Sequence, residues 1–423
     1  MSFTLRRPHA ATVYLAFVAA DGFIRGLTFT VLAVYFVQRV GMDPLQLVLV
    51  GTVLEGTIVL LELPTGVLAD SYSRKLSIVL GQALFGIAYL AQGSLPFFAP
   101  ILVAETVRAA GETFLSGAQQ AWVADEVGTD NVAALFLEGV QLRRLGWLAG
   151  IVASVGLANV DLAWPITAGG ALSVCVAGVL LVVMPERGFK RPVRQHPAAV
   201  LITARTGLSA VRGQPVLLAL LAIAAVLGAA SEGYDRLWEA HLLIDITLPP
   251  LGNLAPVTWF GLIQAGGLII GIASARLVSR IDTRADRAVA RILLTAQALR
   301  IGAIALFALT SQFPVAIAAR WAADGLQSLN RPLLDAWIAR TSPSEVRATV
   351  FSVMSQGDAL GQVLGGPAIG AIGTWLSLRA AIVASAALLS PALALLRLAG
   401  SLKPRTPART TDRLARSVPT ADL

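Results

Sequence analysis

The sequence predicts an all-α integral membrane protein, with twelve transmembrane helices arranged as two pseudo-symmetric six-helix bundles. Composition is the first observation that predicts this fold class. Of the 423 residues 56% are hydrophobic, the mean hydropathy is +0.72, and only 14% are charged, against roughly 25% in soluble domains. Because one bilayer crossing needs about 20 apolar residues, this content suffices for about twelve helices and excludes a large extramembrane domain.

The distribution of apolar runs is the second observation. The runs lie at about 10–38, 44–68, 75–95, 99–124, 136–159 and 163–184, and then at about 214–244, 256–279, 288–310, 312–339, 347–372 and 374–399. The polar stretch between the two sets contains Pro185, Pro192 and Pro197, which disfavour a continuous helix. We therefore predict an N-terminal half at 1–184, a cytoplasmic linker at 185–213, a C-terminal half at 214–399 and a disordered cytoplasmic tail at 400–423.

The position of the basic residues is the third observation. With the N-terminus inside, the basic residues of the predicted loops fall on cytoplasmic segments, apart from Arg39 and Arg379. This asymmetry is what the positive-inside rule requires, and an odd number of helices would disrupt it. The sequence thus predicts a multi-pass protein of the plasma membrane with both termini in the cytoplasm. The net charge of +8 needs no nucleic-acid partner to explain it.

The rarity of ligand residues narrows the chemistry. One cysteine and three histidines argue against a clustered metal site, an internal disulfide or haem ligation. A glycine-rich phosphate loop followed by lysine is missing, so ATP is not the expected energy source. We also find no clustered nucleophile set. The sequence therefore predicts no cofactor, no metal and no enzymatic activity.

The loop between the second and third predicted helices carries a motif. The segment 66–76 reads GVLADSYSRKL and resembles the signature of the major facilitator superfamily in this loop, with matches at Gly66, Leu68, Ala69, Asp70, Tyr72, Arg74 and Lys75. Ser71 replaces the usual basic residue of the signature, and Ser73 replaces its second glycine. The resemblance implies a monomeric transporter in which Gly66, Leu68, Asp70, Arg74 and Lys75 form a cytoplasmic gating motif that latches the two halves in the outward-open state. The simpler interpretation is a short basic loop without a gating role.

Other patterns extend the resemblance over the whole chain. Residues 108–125 and 320–340 share a motif that begins with arginine and leads to Ala-Trp, at offsets of 212 and 215 residues, so the fourth and tenth predicted helices correspond. Such repeats place a substrate site at the bilayer midplane in many transporters. The glycine–proline pattern at Gly365, Gly366 and Pro367 also resembles that of bacterial drug/proton efflux members of the superfamily. The fifth helix, however, lacks the proline-containing glycine motif that is associated with antiporters of the superfamily.

Ionisable residues inside the apolar runs are the rarest feature, because each is unfavourable there unless it is paired or faces water. At about 100° per residue, each helix that carries several of them presents one polar face. We predict that these faces line a common cavity for proton coupling or substrate binding, formed by Asp21, Arg25, Glu55, Glu105, Arg108, Glu112, Glu232, Asp235, Arg236, Asp324, Arg331 and Asp358. Asp21 with Arg25, and Glu105 with Arg108, are spaced to form ion pairs within their helices.

Several charges have a less central interpretation. Glu62 and Asp335 lie nearer the cytoplasmic side, and we interpret them as gate or latch groups. Glu239 is placed at the outer interface. Arg143 is interpreted as a cytoplasmic anchor or a partner of the Asp70 loop. For any single residue of the predicted cavity, a fixed ion pair or a packing role is the alternative to a role in transport.

The sequence therefore predicts a secondary transporter that couples proton movement to the export of a small amphipathic organic compound, such as a drug or an antibiotic, by alternating access. A proton-driven uptake symporter of a small organic solute would have the same architecture. A non-transporting membrane sensor or scaffold is a further alternative, but it would leave the buried carboxylates without a role. The expected partners are the organic substrate, protons and the lipid bilayer.

Overall fold

The computed structural model describes residues 9–189, 205, 207–278 and 286–402. Over these residues the chain is helical, with short connections and no β-strand. Most of the predicted linker, the loop at 279–285 and nearly all of the predicted tail lie outside the described residues. The four predicted segments therefore remain an interpretation, and we use "N-terminal half" for the helices before residue 189 and "C-terminal half" for those after residue 214.

The N-terminal half contains seven α-helices among its described residues. They are α1 (Ala10–Tyr35), α2 (Pro44–Ser71), α3 (Arg74–Ser94), α4 (Phe98–Leu115), α5 (Ala118–Val127), α6 (Thr129–Ala158) and α7 (Trp164–Val183). A π-helical turn, Phe36–Val40, extends α1. Asp43 begins α2 with a capping box, in which its side chain accepts from the Gln46 backbone and the Gln46 side chain bonds back.

The C-terminal half repeats this plan. Its helices are α8 (Pro215–Ile244), α9 (Val257–Val278), α10 (Asp286–Leu309), α11 (Phe313–Thr341), α12 (Arg347–Trp375), α13 (Leu378–Leu388) and α14 (Ser390–Ser401). We call the end of the bundle that carries the α2–α3 connection the inner end, since the sequence predicts that it faces the cytoplasm. The opposite end, with the start of α2 and the end of α12, is the outer end.

Two predicted spans are interrupted. The run at 99–124 was expected to be one helix, but it ends at Leu115 and resumes as α5, because Gly117 takes a left-handed φ of 73° that breaks the helical hydrogen-bond series. The last predicted span is divided at Leu389 between α13 and α14. The fifth span begins earlier than expected, at Thr129.

Eight of the described helical segments are long and apolar enough to cross a bilayer. The remaining predicted spans correspond to α4 with α5, α6, α11 and α12. The first of these is broken at Gly117, and the others carry several charged residues, such as Arg320 and Asp324 on α11. The apolar segments establish a multi-pass membrane protein, whereas the total of twelve crossings stays a prediction.

Glycines bring two helix pairs into backbone contact. Where α1 meets α6, a Cβ at Gly22 would strike the Arg143 carbonyl and a Cβ at Gly146 would strike that of Ala19. Where α8 meets α12, a Cβ at Gly228 would strike the Asp358 carbonyl, and Gly361 faces α8 in the same way. The two pairs occupy corresponding places in the two halves, which is what an internal repeat requires.

The two halves meet along α2–α12 and α6–α9. At the outer end the Leu45 backbone donates to Thr374 Oγ1 over 2.9 Å, and Thr374 donates to Asp43 over 3.2 Å. Beside this contact the Ala255 backbone donates to Asn159 Oδ1 over 2.7 Å. These hydrogen bonds join the halves at the outer end.

Candidate functional site

A cavity of about 280 Å³ lies between the two halves. We call it the central cavity. Helices α1, α2, α4 and α6 form one side of it, and α8, α9 and α11 form the other. Its charged lining comprises Glu105, Arg108, Asp235, Arg236, Glu239 and Arg320. Four of these belong to the residues predicted to share a cavity, whereas Glu239 and Arg320 do not.

On the N-terminal side of the central cavity, Glu105 and Arg108 form a buried ion pair on α4. Arg108 Nε lies 3.0 Å from Glu105 Oε2, and the second guanidinium nitrogen reaches the other carboxylate oxygen. The Gln92 amide donates to the same carboxylate over 2.7 Å, and the Arg108 guanidinium lies 5.5 Å above the Phe29 ring. The predicted i,i+3 pair is therefore present, and its carboxylate is held from two helices.

On the C-terminal side, Glu232 and Arg236 form a second ion pair, on α8, with 2.9 Å between Oε1 and Nε. Glu232 is buried. This pair lies against Gly51 of α2, in the other half: a Cβ at Gly51 would overlap Glu232 Oε1 and Arg236 Nε. The absence of a side chain at Gly51 thus leaves space for an ion pair at the junction of the halves.

Arg320 is the counterpart of Arg108 in the repeat, 212 residues further along the chain. Its Nε lies 3.1 Å from Asp324. Its guanidinium packs on two rings, 4.9 Å from the centroid of Tyr234 and 4.3 Å from that of Trp238. Both repeat arginines therefore face the central cavity, and each is in contact with a carboxylate and an aromatic ring.

Glu239 was placed at the outer interface, and the structure overturns this prediction. The residue is 9% exposed and lines the central cavity, and its Oε2 has no hydrogen-bond partner among the described residues. Asp235, one turn earlier on α8, lines the same cavity and forms no ion pair with a described residue. The i,i+4 spacing from Asp235 could have indicated that Glu239 faces the same way.

Sequence reasoning also missed Arg300, in the middle of α10. This residue is 3% exposed, and its guanidinium donates to Gln327 of α11 over 2.6 Å. A single arginine inside the run LLTAQALRIGAIALF was the available signal, because an intramembrane charge marks a functional candidate by itself.

A second cavity, of about 550 Å³, lies in the N-terminal half. A four-residue network lines it: Arg25 bonds Asp21 over 3.0 Å and Glu112 of α4 over 3.1 Å, while Arg143 of α6 bonds Asp21 over 3.1 Å. The predicted pair of Asp21 with Arg25 is present, but it does not reach the central cavity. Arg143 is part of this network, whereas its interpretation as a cytoplasmic anchor or a partner of the Asp70 loop stays a prediction, since the Asp70 side chain lies outside the described residues.

The remaining predicted residues lie apart from the central cavity lining. Glu55 on α2 and Asp358 on α12 are half-buried, and Asp358 accepts from Gln362 over 3.1 Å. Arg331 and Asp335 are exposed on the inner part of α11. Asp324 pairs with Arg320, whereas Arg331 interacts electrostatically with Asp335 and with Asp358. Glu62 accepts a hydrogen bond of 2.6 Å from Gln356 and thereby links α2 to α12.

The loop motif is attached to its own half. Arg74 forms an ion pair with Asp125 of α5 and donates to the Ala121 carbonyl over 2.9 Å. Glu186, just after α7, accepts from the Lys75 backbone over 2.9 Å. The Asp70 side chain lies outside the described residues. A Cβ at Gly66 would meet no described atom within 4 Å, so this glycine makes no close helix contact with the described residues.

Comparison with known proteins places this geometry in context. No protein-family model matches the chain. The uncharacterized MFS-type transporter YxaM of Bacillus subtilis (strain 168) is 23% identical over 392 residues, which cover 89% of this chain and 93% of YxaM.

Solved structures of transporters superpose on most of the chain. The nucleoside transporter NupG, as its D323A mutant, has a TM-score of 0.76 at 13% identity and covers 92% of this chain and 100% of its own. A POT family transporter in complex with a thioalcohol-conjugated peptide has a TM-score of 0.72 at 12% identity, covering 92% and 94%. A bacterial homologue of the human lysosomal transporter Spinster, inward-facing and unoccupied, has a TM-score of 0.68 at 17% identity, covering 95% and 100%.

These relatives and neighbours are transporters rather than enzymes, in agreement with the prediction that the chain is not an enzyme. The names of these relatives and neighbours do not mention drug or proton efflux, so they do not support the resemblance to bacterial drug/proton efflux members. The chain has the multi-pass, all-helical fold of major facilitator transporters.

Proposed function

We propose that this protein is a secondary transporter of the major facilitator type that exports a small amphipathic organic compound in exchange for protons. The observation that carries the proposal is the central cavity: a chamber between two halves, lined by buried carboxylates and guanidinium groups and by aromatic rings. A membrane protein keeps ionisable groups in its apolar interior where a pathway requires them.

The way in which the halves meet supports alternating access. In the state described above, hydrogen bonds join the halves at the outer end. Rocking of one half against the other would break these bonds and expose the central cavity to the outside. A carboxylate that takes up a proton in that state would lose its charge and with it the attraction to its arginine, so that substrate release and protonation are linked.

The test uses proteoliposomes with an imposed pH gradient and a panel of labelled organic compounds. We expect one or more compounds to move against their own gradient. We expect E232Q or E105Q to abolish the gradient-driven component, because each replacement removes a buried carboxylate that can carry a proton. The exposed Glu138 of α6 provides a matched control, and E138Q should transport like the unmodified chain.

Two outcomes would count against the proposal. If no compound of a broad panel moves in either direction, the protein is not a transporter of this kind. If coupling is unchanged in both E232Q and E105Q, these two carboxylates are not on the proton path.

A proton-driven uptake symporter is the second candidate, and the solved neighbours named as nucleoside and peptide transporters favour it. The same assay separates the two functions by direction. With protons flowing down their gradient, a symporter moves the solute with the protons, whereas an exporter moves it against them. Growth tests of cells that express the chain, on toxic compounds and on scarce solutes, give an independent measure.

A further inference from the structure

We infer that the central cavity selects an organic cation that carries an aromatic ring, and that Asp235 and Glu239 of α8 recognise its positive charge. The inference rests on the proposed transport function, because it names the substrate class of the same cavity.

Two carboxylates in the lining of the central cavity take no part in the ion pairs that the other charged groups form. Arg108 is engaged by Glu105, and Arg236 is engaged by Glu232. Neither Asp235 nor Glu239 forms an ion pair within 4 Å among the described residues, although both line the cavity. Two negative groups one helical turn apart therefore face the same chamber.

Glu239 is the stronger indicator of a ligand. It is nine-tenths buried, and its Oε2 has no hydrogen-bond partner among the described residues. The nearby Arg320 acts on it electrostatically but is already in an ion pair with Asp324. A buried carboxylate oxygen without a partner is unfavourable by itself, so an incoming donor or cation would gain the full benefit of the contact.

The surrounding charges do not cancel the excess. In the middle of α8, α10 and α11, the described residues bring together four carboxylates, Glu232, Asp235, Glu239 and Asp324, and three guanidinium groups, Arg236, Arg300 and Arg320. Arg300 acts on Asp235 only over a longer distance, since its guanidinium is bound to Gln327. With all groups ionised, one negative charge remains to be balanced, and a monovalent cation balances it.

The apolar walls of the cavity indicate the rest of the ligand. Phe29 and Trp147 stack with ring centroids 6.1 Å apart, and Trp238 lies across the cavity from them. Trp238 already has a cation, the Arg320 guanidinium, at 4.3 Å from its ring centroid. Aromatic rings of this kind bind organic cations by cation–π attraction, and a cavity of about 280 Å³ suits a ligand of one or two rings.

The test compares three aromatic molecules of different charge, two of which have the same shape. Phenyltrimethylammonium is a cation, tert-butylbenzene is its neutral isostere, and benzenesulfonate is an aromatic anion. Equilibrium dialysis measures the binding of radiolabelled phenyltrimethylammonium to the purified full chain, and the other two compounds are added as competitors. We expect saturable binding of the cation, without competition by the anion or the neutral isostere at matched concentrations.

The variants assign the site. D235N and E239Q should each weaken cation binding, and the double variant should weaken it at least about tenfold, as expected for the loss of a charge contact. E138Q removes an exposed carboxylate of α6 and should bind normally. E239D, which keeps the charge, should retain more affinity than E239Q. If E239Q does not fold, the comparison of D235N with E138Q decides the matter.

Three results would overturn the inference: no saturable binding of the cation, competition by benzenesulfonate as strong as that by unlabelled cation, or binding by the double variant equal to that of E138Q. Failure of the proposed function looks different. If the cation binds through Asp235 and Glu239 but a pH gradient drives no transport, the transport proposal fails and the binding site stands. If a pH gradient drives transport of an anion, transport stands and the cation site fails.

Discussion

At the scale of single residues, one glycine determines how the two halves approach each other. Gly51 of α2 lies against the buried pair of Glu232 and Arg236, and the pair occupies the volume that a side chain would fill. Protein interiors tolerate added volume poorly, because neighbours that are already packed must move. An added Cβ meets the ends of these two side chains, so a side chain at residue 51 must displace the ion pair or move α2 away from α8.

We predict that G51A opens the outer end and that G51V opens it further. In a C175A background, which removes the exposed natural cysteine, L47C places a reporter on the cavity wall. A maleimide that does not cross membranes, added on the outer side, should label the reporter several-fold faster in the glycine variants. G56A is the matched control on the same helix, because a Cβ there would lie 3.9 Å from its nearest neighbour, Val363 Cγ2. Equal labelling in all variants would contradict the role of Gly51.

Individual residues also show where sequence reasoning stops. The pairs Asp21–Arg25 and Glu105–Arg108 could be predicted because they lie three or four residues apart on one helix. The contact of Arg143 with Asp21, and that of Gly51 with Glu232, join distant helices. Periodicity fixes the face of a helix, but it does not fix the neighbour that this face meets, so contacts between helices required the structure.

At the scale of helices, the two halves differ where α4 and α5 meet. In the N-terminal half α4 and α5 are separated at Gly117, whereas their counterpart α11 runs without interruption through Pro332. Asp125 of the separated segment α5 forms the ion pair with Arg74 of the loop motif, and Glu112 of α4 forms an ion pair with Arg25. Gly117 therefore lies between two anchored segments.

We predict that G117A destabilises the protein, because a residue with a side chain at a φ of 73° is unfavourable by about 1–2 kcal/mol. Thermal unfolding in detergent should show a midpoint lower by a few degrees. G178A on α7 serves as the control, since Gly178 lies inside a helix with no atom within 4 Å of an added Cβ, and alanine is there the better helix former. A G117A variant as stable as G178A would show that the break is not needed.

The break could not be read from the sequence, for a physical reason. Polar residues flank Gly117 in the run at 99–124, with Ser116 before it and Gln119 and Gln120 after it, but a serine–glycine pair occurs in turns and glycine is also common inside membrane helices. Whether glycine continues a helix or ends it depends on tertiary contacts at each side. The existence and order of the helices, in contrast, followed from the length of the apolar runs, because a lipid environment leaves little choice of backbone structure.

At the scale of the whole molecule, polar contacts and close apolar packing together close the outer end. Hydrogen bonds of Leu45, Asp43 and Thr374 connect the start of α2 to the end of α12. At the same place Pro44 and Leu45 pack against Gly373 and Gly370. Hydrogen bonds of ordinary strength can form and break at each cycle, so they permit this end to act as a gate.

We predict that a disulfide between L45C and T374C, in a C175A background, locks the outer end and stops transport. The Thr374 side chain reaches within 2.9 Å of the Leu45 backbone, so the two residues are direct neighbours. A disulfide needs a Cβ separation of about 3.5–4.5 Å, and formation of the cross-link by oxidation is checked first. Oxidation should abolish transport in proteoliposomes, and a reductant should restore it. Each single-cysteine variant should be insensitive to oxidation. Full transport by the cross-linked protein would mean that this end does not open.

The glycine contacts of α1 with α6 and of α8 with α12 have a mechanical consequence. Backbone pressed against backbone has no rotamers to change, so these two pairs transmit force without yielding. Each half then moves as a rigid body, and any deformation is confined to the surfaces where the two halves meet. A bulky substitution at Gly146 or Gly361 would separate the paired helices and make that half less rigid. A movement at one end of the protein would then no longer be transmitted to the other end.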